Sequence, residues 1–280
     1  MKPAPLRYVR PQSVAEACAA LHAEPEAKVI AGGQSLMPLL NFRLAVPEVL
    51  VDLAGIPGLR GIVVAEDSVE VGAMTTQRAL ERDADALAAC PLLALALPHV
   101  GHTTTRNRGT VGGSIAHADA AAELPCVLAC LDGSVIVAGQ GASRQQAAAG
   151  LFVTHLTSAL AADEVLTAVR FPVLADSWRF AFHEVTQRHG DYAMTMIACA
   201  ADVVAGRIVE VRIAAGAIAD RPLRLTEAEQ AVVAGAELGE VRRIAEASIE
   251  PSGSPHAPAA YRRALVGALV VRCLEQVLAA

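Results

Sequence analysis

Two short glycine-rich segments constrain this chain more than any other feature of its sequence. The first reads Ala31-Gly32-Gly33-Gln34-Ser35 and the second reads Thr110-Val111-Gly112-Gly113-Ser114. A glycine turn at a strand end lets backbone amides converge on an anion without obstruction by Cβ atoms, and a helix behind it adds a favourable dipole. Glycine also serves tight turns for conformation alone, but two such turns together can hold a diphosphate from two sides.

The common nucleotide-binding signatures are absent from both segments. No lysine follows either glycine pair, which excludes a GxxxxGK[ST] loop, and neither segment spells GxGxxG. The fragment at 139–141 (GQG) follows a predicted strand, but no third glycine arrives at the required spacing. The two turns therefore identify neither a P-loop nor a Rossmann unit.

The residues around the first turn predict a compact strand–helix alternation. Apolar residues at helical spacing indicate a helix over 13–24, and Ser35 is placed to cap a second helix over 36–44. Short β-branched runs predict strands over 28–31 and 49–53. The first part of the chain is thus expected to be a unit of βαβ type.

The rest of the chain is predicted to contain hairpins, helices and single strands in alternation. We predict a hairpin over 62–64 and 69–71, helices over 76–87, 91–98 and 121–131, strands over 134–138 and 165–171, a second hairpin over 195–204 and 208–217, and helices over 226–234, 238–248 and 259–278, the last two separated by a break at 251–258. This order predicts a small α/β part, a mixed α+β part, and a hairpin with helices.

Composition and charge exclude several classes of protein. The formal net charge of −6 argues against nucleic-acid binding, which leaves a basic footprint. The apolar run at 91–98 is far shorter than the roughly 20 residues that span a bilayer. Because no apolar core follows the basic N-terminal residues, a signal peptide is not expected. We therefore expect a cytoplasmic chain without a membrane span.

The sequence offers no convincing metal site. The six cysteines are scattered without a CxxC pair, which is typical of reduced, buried thiols and leaves no set for an iron–sulfur cluster. His99 and His102, with His117 beyond the second turn, lack a third ligand at suitable spacing. We predict neither a bound metal nor a Ser/His/Asp or Cys/His catalytic set.

The segments around both turns carry a family resemblance. Residues 31–44 (AGGQSLMPLLNFRL) and 108–125 (RGTVGGSIAHADAAAELP) are similar to the two FAD motifs of the medium, flavoprotein subunits of molybdenum hydroxylases. Shorter matches occur at 163–172 (DEVLTAVRFP), 188–193 (RHGDYA) and 220–222 (DRP). Their order and spacing agree over essentially the whole chain, which resembles the carbon monoxide dehydrogenase and xanthine dehydrogenase FAD-subunit family.

The resemblance implies how the cofactor is held. Residues of both turns are expected at the FAD pyrophosphate, Asp119 and Glu123 at ribose or ribityl hydroxyls, Leu166 near the flavin, and Tyr192 at the isoalloxazine ring. The residue aligned with a common family lysine is His183. The full predicted set is Ala31, Gly32, Gly33, Gln34, Ser35, Leu36, Met37, Thr110, Gly112, Gly113, Ser114, Asp119, Glu123, Leu166, His183 and Tyr192.

Several of these residues also have ordinary structural interpretations. Asp119 and Glu123 suit the N-terminus of a helix, where acids interact favourably with the dipole. Tyr192 suits a packed core. Arg106 and Arg108 are candidates for contact with phosphate or a partner subunit, or for simple surface charge.

The resemblance also implies an architecture. It is an α+β fold of the vanillyl-alcohol-oxidase (PCMH-like) type, with a two-part FAD-binding domain over 1–175 followed by a C-terminal domain. The FAD-binding domain divides into a small α/β part over 1–56 and a mixed α+β part over 57–175. The C-terminal domain, 176–280, is expected to be an antiparallel sheet with helices.

The implied function is electron transfer within a larger enzyme. A large subunit would oxidise the substrate, for which an N-heterocycle or a purine is preferred, at a molybdopterin cofactor. A small subunit with two [2Fe–2S] clusters would pass the electrons to FAD here and on to an external acceptor, in a dimer of heterotrimers. The alternatives are a self-contained flavin oxidoreductase of the same fold superfamily and a flavin-free scaffold.

Overall fold

The computed structural model describes residues 2–253 and 257–280. The first sheet is three-stranded and parallel, in the order β1-β3-β2. Its elements are β1 (Arg7–Val9), α1 (Val14–Ala23), β2 (Ala27–Ile30), α2 (Leu36–Asn41) and β3 (Val49–Asp52). Ligands bind beyond the carboxyl ends of parallel strands, and the first glycine turn occupies this position after β2.

The second sheet is five-stranded and antiparallel, in the order β4-β5-β10-β6-β7. Its strands are β4 (Ile62–Val64), β5 (Ser68–Gly72), β6 (Ser134–Ala138), β7 (Ser143–Ala147) and β10 (Val165–Pro172), with a small pair formed by β8 (Phe152–Thr154) and β9 (Thr157–Ser158). The helices between β5 and β6 are α3 (Gln77–Glu81), α4 (Ala84–Ala89), α5 (Pro91–Ala96), α6 (Thr103–Arg106), α7 (Val111–His117) and α8 (Glu123–Cys130).

The third sheet is four-stranded and antiparallel, in the order β11-β12-β13-β14. It consists of β11 (Trp178–Thr186), β12 (Ala193–Val204), β13 (Arg207–Gly216) and β14 (Leu223–Arg224), followed by α9 (Thr226–Val233), α10 (Leu238–Ala247) and α11 (Ala259–Ala279). The predicted domain boundaries at 56/57 and 175/176 fall between sheets. Part of the predicted break at 251–258, residues 254–256, lies outside the described residues.

Both faces of the third sheet are buried. Met196 and Ala198 on β12 belong to the core shared with α5 and α8, whereas Ile197 and Cys199 belong to a second core beneath α10 and α11. A strand covered on both faces is apolar at every position, not at alternate ones. The third sheet therefore joins the C-terminal helices to the part of the chain that carries the second glycine turn.

The structure differs from the sequence expectations at several elements. The helix expected over 76–87 is two helices, because the Asp83 carboxylate accepts a hydrogen bond from the Ala86 amide and starts a new one. The second helix ends at Asn41, since Arg43 has a φ of 56°. Strands β1, β7, β8, β9, β11 and β14 and helices α6 and α7 had no predicted counterpart. Among the described residues, none of the helices has the length and apolar character to cross a membrane.

Candidate functional site

A cavity of about 850 Å³ lies where the first two sheets meet the loop after β11. Its volume falls within the roughly 300–1,000 Å³ typical of small-molecule and cofactor sites. Fourteen of the sixteen predicted residues line it: Ala31, Gly32, Gly33, Gln34, Ser35, Leu36, Thr110, Gly112, Gly113, Ser114, Asp119, Glu123, Leu166 and Tyr192. The chain thus brings segments distant in sequence to one concave surface.

The first glycine turn presents free backbone amides to the cavity. Within the described residues, the amides of 32–36 have no hydrogen-bond acceptor, and the next amide, that of Met37, donates to the Gly33 carbonyl at 3.1 Å. Gly33 has a φ of 70°, a left-handed conformation that turns neighbouring amides toward one side. Ser35 stands at the N-cap position without a capping hydrogen bond, so the prediction that it caps α2 was wrong.

The second glycine turn is built differently. Thr110 caps α7, and its Oγ accepts a hydrogen bond from the Gly113 amide at 3.1 Å. The amides of Val111 and Gly112 donate to the carbonyls of Thr75 and Ala73, at 2.9 and 3.0 Å. These amides are therefore already paired, and this turn offers the cavity the side-chain hydroxyls of Thr110 and Ser114.

The glycines of both turns allow close approach of backbone. An ideal Cβ at Gly32 would lie 2.2 Å from the Arg108 carbonyl oxygen, immediately before the second turn. One at Gly112 would lie 2.5 Å from the Ala73 Cβ. Contacts this short are not tolerated, so Gly32 is needed to bring the two turns together and Gly112 to pack the second turn against Ala73, independently of any ligand.

An orphaned polar atom lies in the cavity wall. Gln77 lines the cavity, and its Oε1 is buried with no hydrogen-bond partner in the described part of the chain. Buried polar atoms are nearly always paired, so an unpaired one marks a position for a ligand donor. Nothing about Gln77 in the sequence distinguished it, because its role depends on the distant segment around Gly109.

Two carboxyl groups also line the cavity. Asp119 follows α7, and its Oδ1 accepts a hydrogen bond from the Ala121 amide at 2.9 Å. Glu123 begins α8 and is only 8% exposed, and burial raises its pKa to about 7. Tyr192 is 72% exposed at the cavity edge, so the interpretation of Tyr192 as core packing was wrong.

A β-bulge interrupts the strand that contributes Val165 and Leu166 to the cavity wall. The register of β10 against β6 shifts between Leu166 and Ala168, and bulges commonly re-aim side chains beside functional sites. Both Val165 and Leu166 line the cavity as a result. The buried Leu166 supplies an apolar wall close to the carboxyl groups.

Two of the sixteen residues do not line the cavity. Met37 lies one residue beyond the lining segment, with its side chain beside Gly33. His183 lies on β11 between Ala181 and Val185, which pack on the side of the C-terminal helices, and it interacts with Gln276 of α11. Because side chains alternate along a strand, its neighbour Glu184 takes the opposite face, so the alignment of His183 with a flavin-facing lysine does not fit this placement.

The arginines before the second turn have structural roles. Arg106 is buried and forms a bidentate ion pair with Glu81, with Nε–Oε2 and Nη2–Oε1 distances of 3.0 Å. Its Nη1 donates to the carbonyls of Val100 and Gly101. The interpretation of Arg106 as a phosphate contact or as surface charge was therefore wrong. Arg108 is exposed.

The histidines near the second turn pack and do not cluster around a metal. His102 lies against Gly190, whose φ of 84° and missing Cβ allow the loop that carries Tyr192 to approach. His99 packs against Phe182 at a ring distance of 5.3 Å. Burial lowers the pKa of the cavity-lining His117. Among the described residues, no group of three His, Cys, Asp or Glu side chains is placed to hold a metal ion.

These features fit a dinucleotide of the FAD type. The free amides of the first turn and the hydroxyls of the second suit a pyrophosphate, and the unpaired Gln77 oxygen suits a donor on the same ligand. The apolar wall at Leu166 suits an aromatic ring. Among the described residues of the cavity wall, no Ser or Thr hydroxyl is hydrogen-bonded to a His ring or a carboxylate, so the ligand would supply the redox chemistry.

Comparisons with known proteins identify the family of the chain. Residues 4–174 match the family described as the FAD binding domain in molybdopterin dehydrogenase, and residues 180–277 match the CO dehydrogenase flavoprotein C-terminal domain. The nicotine 6-hydroxylase medium subunit of Paenarthrobacter nicotinovorans is 38% identical over 283 residues, which cover 99% of this chain and 98% of that protein.

Solved structures share the fold over the whole chain. Carbon monoxide dehydrogenase from Hydrogenophaga pseudoflava matches with a TM-score of 0.96 and 33% identity, over 100% of this chain and 99% of that one. Quinoline 2-oxidoreductase from Pseudomonas putida 86 matches with a TM-score of 0.94 and 35% identity, over the same shares of the two chains. The chain therefore belongs to the FAD-binding medium subunits of molybdenum hydroxylases, and it is the flavoprotein subunit of a molybdenum-containing oxidoreductase.

Proposed function

We propose that this chain is the electron relay of its complex. Its FAD would receive electrons from two [2Fe–2S] clusters in a small partner subunit and deliver them to an external acceptor. Substrate would be oxidised at a molybdopterin cofactor in a large partner subunit, in a dimer of heterotrimers. The observation that carries the proposal is a cofactor-sized cavity whose wall combines the free amides of 32–36 with the carboxyl groups of Asp119 and Glu123.

The first turn would bind the pyrophosphate through its backbone. Residues 32–36 line the cavity, and their five consecutive amides are free beside the Ser35 hydroxyl. Backbone donors held in a turn bind phosphate oxygens at no cost in side-chain ordering. The hydroxyls of Thr110 and Ser114 in the second turn would also bind the pyrophosphate.

The remaining residues would position the ring and its ribityl chain. Asp119 and Glu123 would accept hydrogen bonds from hydroxyl groups, Leu166 would pack on the ring system, and Tyr192 would cover it from the loop after β11. The flavin supplies the electron-accepting chemistry when bound, while the protein supplies position and electrostatics.

The substrate class is a second part of the proposal. We favour an N-heterocycle, because a nicotine hydroxylase medium subunit and a quinoline oxidoreductase are among the similar proteins. Carbon monoxide dehydrogenases are also among them. The substrate would bind in the large subunit, so residues of this chain do not select it.

An absorption spectrum and a turnover assay test the relay. The protein purified with its partner subunits should show flavin bands near ~370 and ~450 nm, which bleach when an N-heterocycle is added. The chain without partners should oxidise no organic substrate. A spectrum without flavin bands would contradict the FAD site, and turnover by the chain alone would favour a self-contained oxidoreductase.

A further inference from the structure

Two carboxyl groups from different parts of the chain interact electrostatically, and one of them lines the cavity. Glu123 starts α8, lines the cavity, and is more than nine-tenths buried. Its carboxylate receives a hydrogen bond from its own backbone amide. Glu184 comes from β11, and its Oε2 is buried without a hydrogen-bond partner among the described residues.

Within the part of the chain that the structure describes, no basic side chain forms an ion pair with either carboxyl group. Arg106 interacts with Glu123, but its guanidinium is committed to the bidentate pair with Glu81. Asp119, on the loop before α8, adds a further negative charge. Burial and then the Glu123 charge raise the pKa of Glu184 to about 8, and burial raises that of Glu123 to about 7.

The surrounding elements supply apolar and neutral groups. The cross-strand partner of Glu184 on β12 is Met196, which contacts Gly216 of β13. Phe182 precedes Glu184 on the same face of β11, and the Cys126 thiol of α8 lies near both carboxyls. Near neutral pH the pair therefore holds fewer than two protons, so a carboxylate remains that can take up another.

We propose that the Glu123–Glu184 pair takes up a proton from water when the bound flavin is reduced. This inference rests on the proposed placement of FAD in the cavity. When two electrons from the partner subunit and one proton enter the cofactor, the cavity gains one negative charge. An ionised carboxylate beside it is then disfavoured, so it forms an O–H bond with a second proton. Two protons thus accompany two electrons, and reoxidation releases both.

The flavin potential tests this coupling. Spectroelectrochemical titration of the complex between pH 7 and 9 gives the number of protons per two electrons. We expect a value above one that rises toward two above pH 8 for the native protein, close to one throughout for the double variant Glu123→Gln/Glu184→Gln, and an intermediate value for Glu184→Gln. Gln is a neutral isostere of the protonated acid, so the fold should be kept. The control is Glu227→Gln, an exposed acid in the first turn of α9, which should match the native protein.

Infrared spectroscopy supplies a second readout, which detects the protonated carboxyl group directly. The reduced-minus-oxidised difference spectrum of the native protein should gain a protonated carboxyl band, which the double variant should lack. Equal proton numbers in native and double-variant protein, or no carboxyl band on reduction, would overturn the inference. Missing flavin bands would instead count against the proposed function, so the two failures are distinguishable.

Discussion

The two glycine turns share a composition but differ in what their backbones do. In the first, the amides of 32–36 are unpaired and face the cavity. In the second, the amides of 111–113 are paired with Thr75, Ala73 and the Thr110 side chain. The first turn is thus an open cradle for an anion. The second is a packed helix start that holds the cradle in place and leads into the carboxyl end of the cavity.

This difference separates two uses of glycine. Gly33 is required for its positive φ, whereas Gly32 and Gly112 are required because other backbone segments occupy the space of a Cβ. Substitutions in the second turn should therefore act on the fold first. Substitutions in the first turn at Gly33 should act on the cofactor.

The largest effect is expected for Gly112→Ala. Its Cβ would lie 2.5 Å from the Ala73 Cβ and 2.6 Å from its Cα, and overpacking of this kind costs about 3 kcal/mol at the upper end of its usual range. Urea denaturation should show the lower free energy of unfolding.

Gly239→Ala is the matched control for this substitution. Gly239 is also the second residue of a helix, and nothing lies within 4 Å of its Cβ position. It should gain about 0.5–1 kcal/mol, as alanine does over glycine in helices. Equal stability of the two variants would show that the second turn is not tightly packed.

The pH dependence of stability should arise from Glu123 and Glu184 and not from residues of the first turn. Folding raises the pKa of Glu123 from 4.5 to about 7 and that of Glu184 to about 8. A raised carboxyl pKa stabilises the folded state fully below 4.5, and this contribution is lost as the pH rises through the folded value. The free energy of unfolding should therefore fall between pH 5 and 8, by up to about 3 kcal/mol for Glu123 at about 1.4 kcal/mol per pKa unit.

Urea denaturation at several pH values measures this slope. Glu123→Gln should flatten it, while the exposed Glu227→Gln should keep it. The first turn, residues 31–36, contains no titratable side chain and should contribute nothing. A stability that rises from pH 5 to 8 and is unchanged in Glu123→Gln would contradict the burial of this carboxyl.

Gly33→Ala should weaken FAD binding with a smaller effect on the fold. A left-handed alanine costs roughly 1–2 kcal/mol, and no atom lies closer than 3.3 Å to its Cβ. Relief of this strain would turn the free amides away from the cavity. We expect a roughly tenfold higher dissociation constant for FAD, corresponding to about 1.4 kcal/mol, measured by flavin titration.

Gly235→Ala controls for the backbone strain. Gly235 has a φ of 81° and open space around its Cβ position, and it does not line the cavity. It should lose similar stability and keep native affinity for FAD. Native affinity in Gly33→Ala as well would mean that the first turn does not bind the cofactor.

The smallest expected changes in stability are those for removal of the Thr110 and Ser35 hydroxyls, which both lie at the N-cap position of a helix. Thr110→Ala removes a helix cap and should cost about 1 kcal/mol. Ser35→Ala removes no capping hydrogen bond and should change stability by less than about 0.5 kcal/mol. Denaturation of the flavin-free chain measures both, and equal losses would contradict the difference in capping.

Local patterns made much of the fold predictable. Helices α1 and α9 to α11 and the hairpin of β12 and β13 follow from apolar period and turn residues. β11 was missed because both of its faces are covered, which removes the alternation that marks a half-buried strand. β7, with the sequence SRQQA, was missed because it is a polar edge strand.

The candidate site was predictable as a set of segments but not as a set of contacts. The sequence motifs identified both turns, yet they could not show which amides were already paired, since the acceptors at Ala73 and Thr75 come from another segment. The roles of Gln77 and Glu184 likewise depend on partners far along the chain. His183 was misplaced for the same reason, because one residue of register decides which face of β11 it takes.

Hydrogen–deuterium exchange with and without FAD tests the central claim most directly, because it measures the amides of the two turns separately. Without FAD, the amides of 32–36 should exchange rapidly and those of 111–113 slowly. With FAD, the first group should become protected while the second changes little. Rapid exchange at both turns without FAD followed by equal protection, or no protection of residues 32–36, would contradict the division between an open cradle and a packed support.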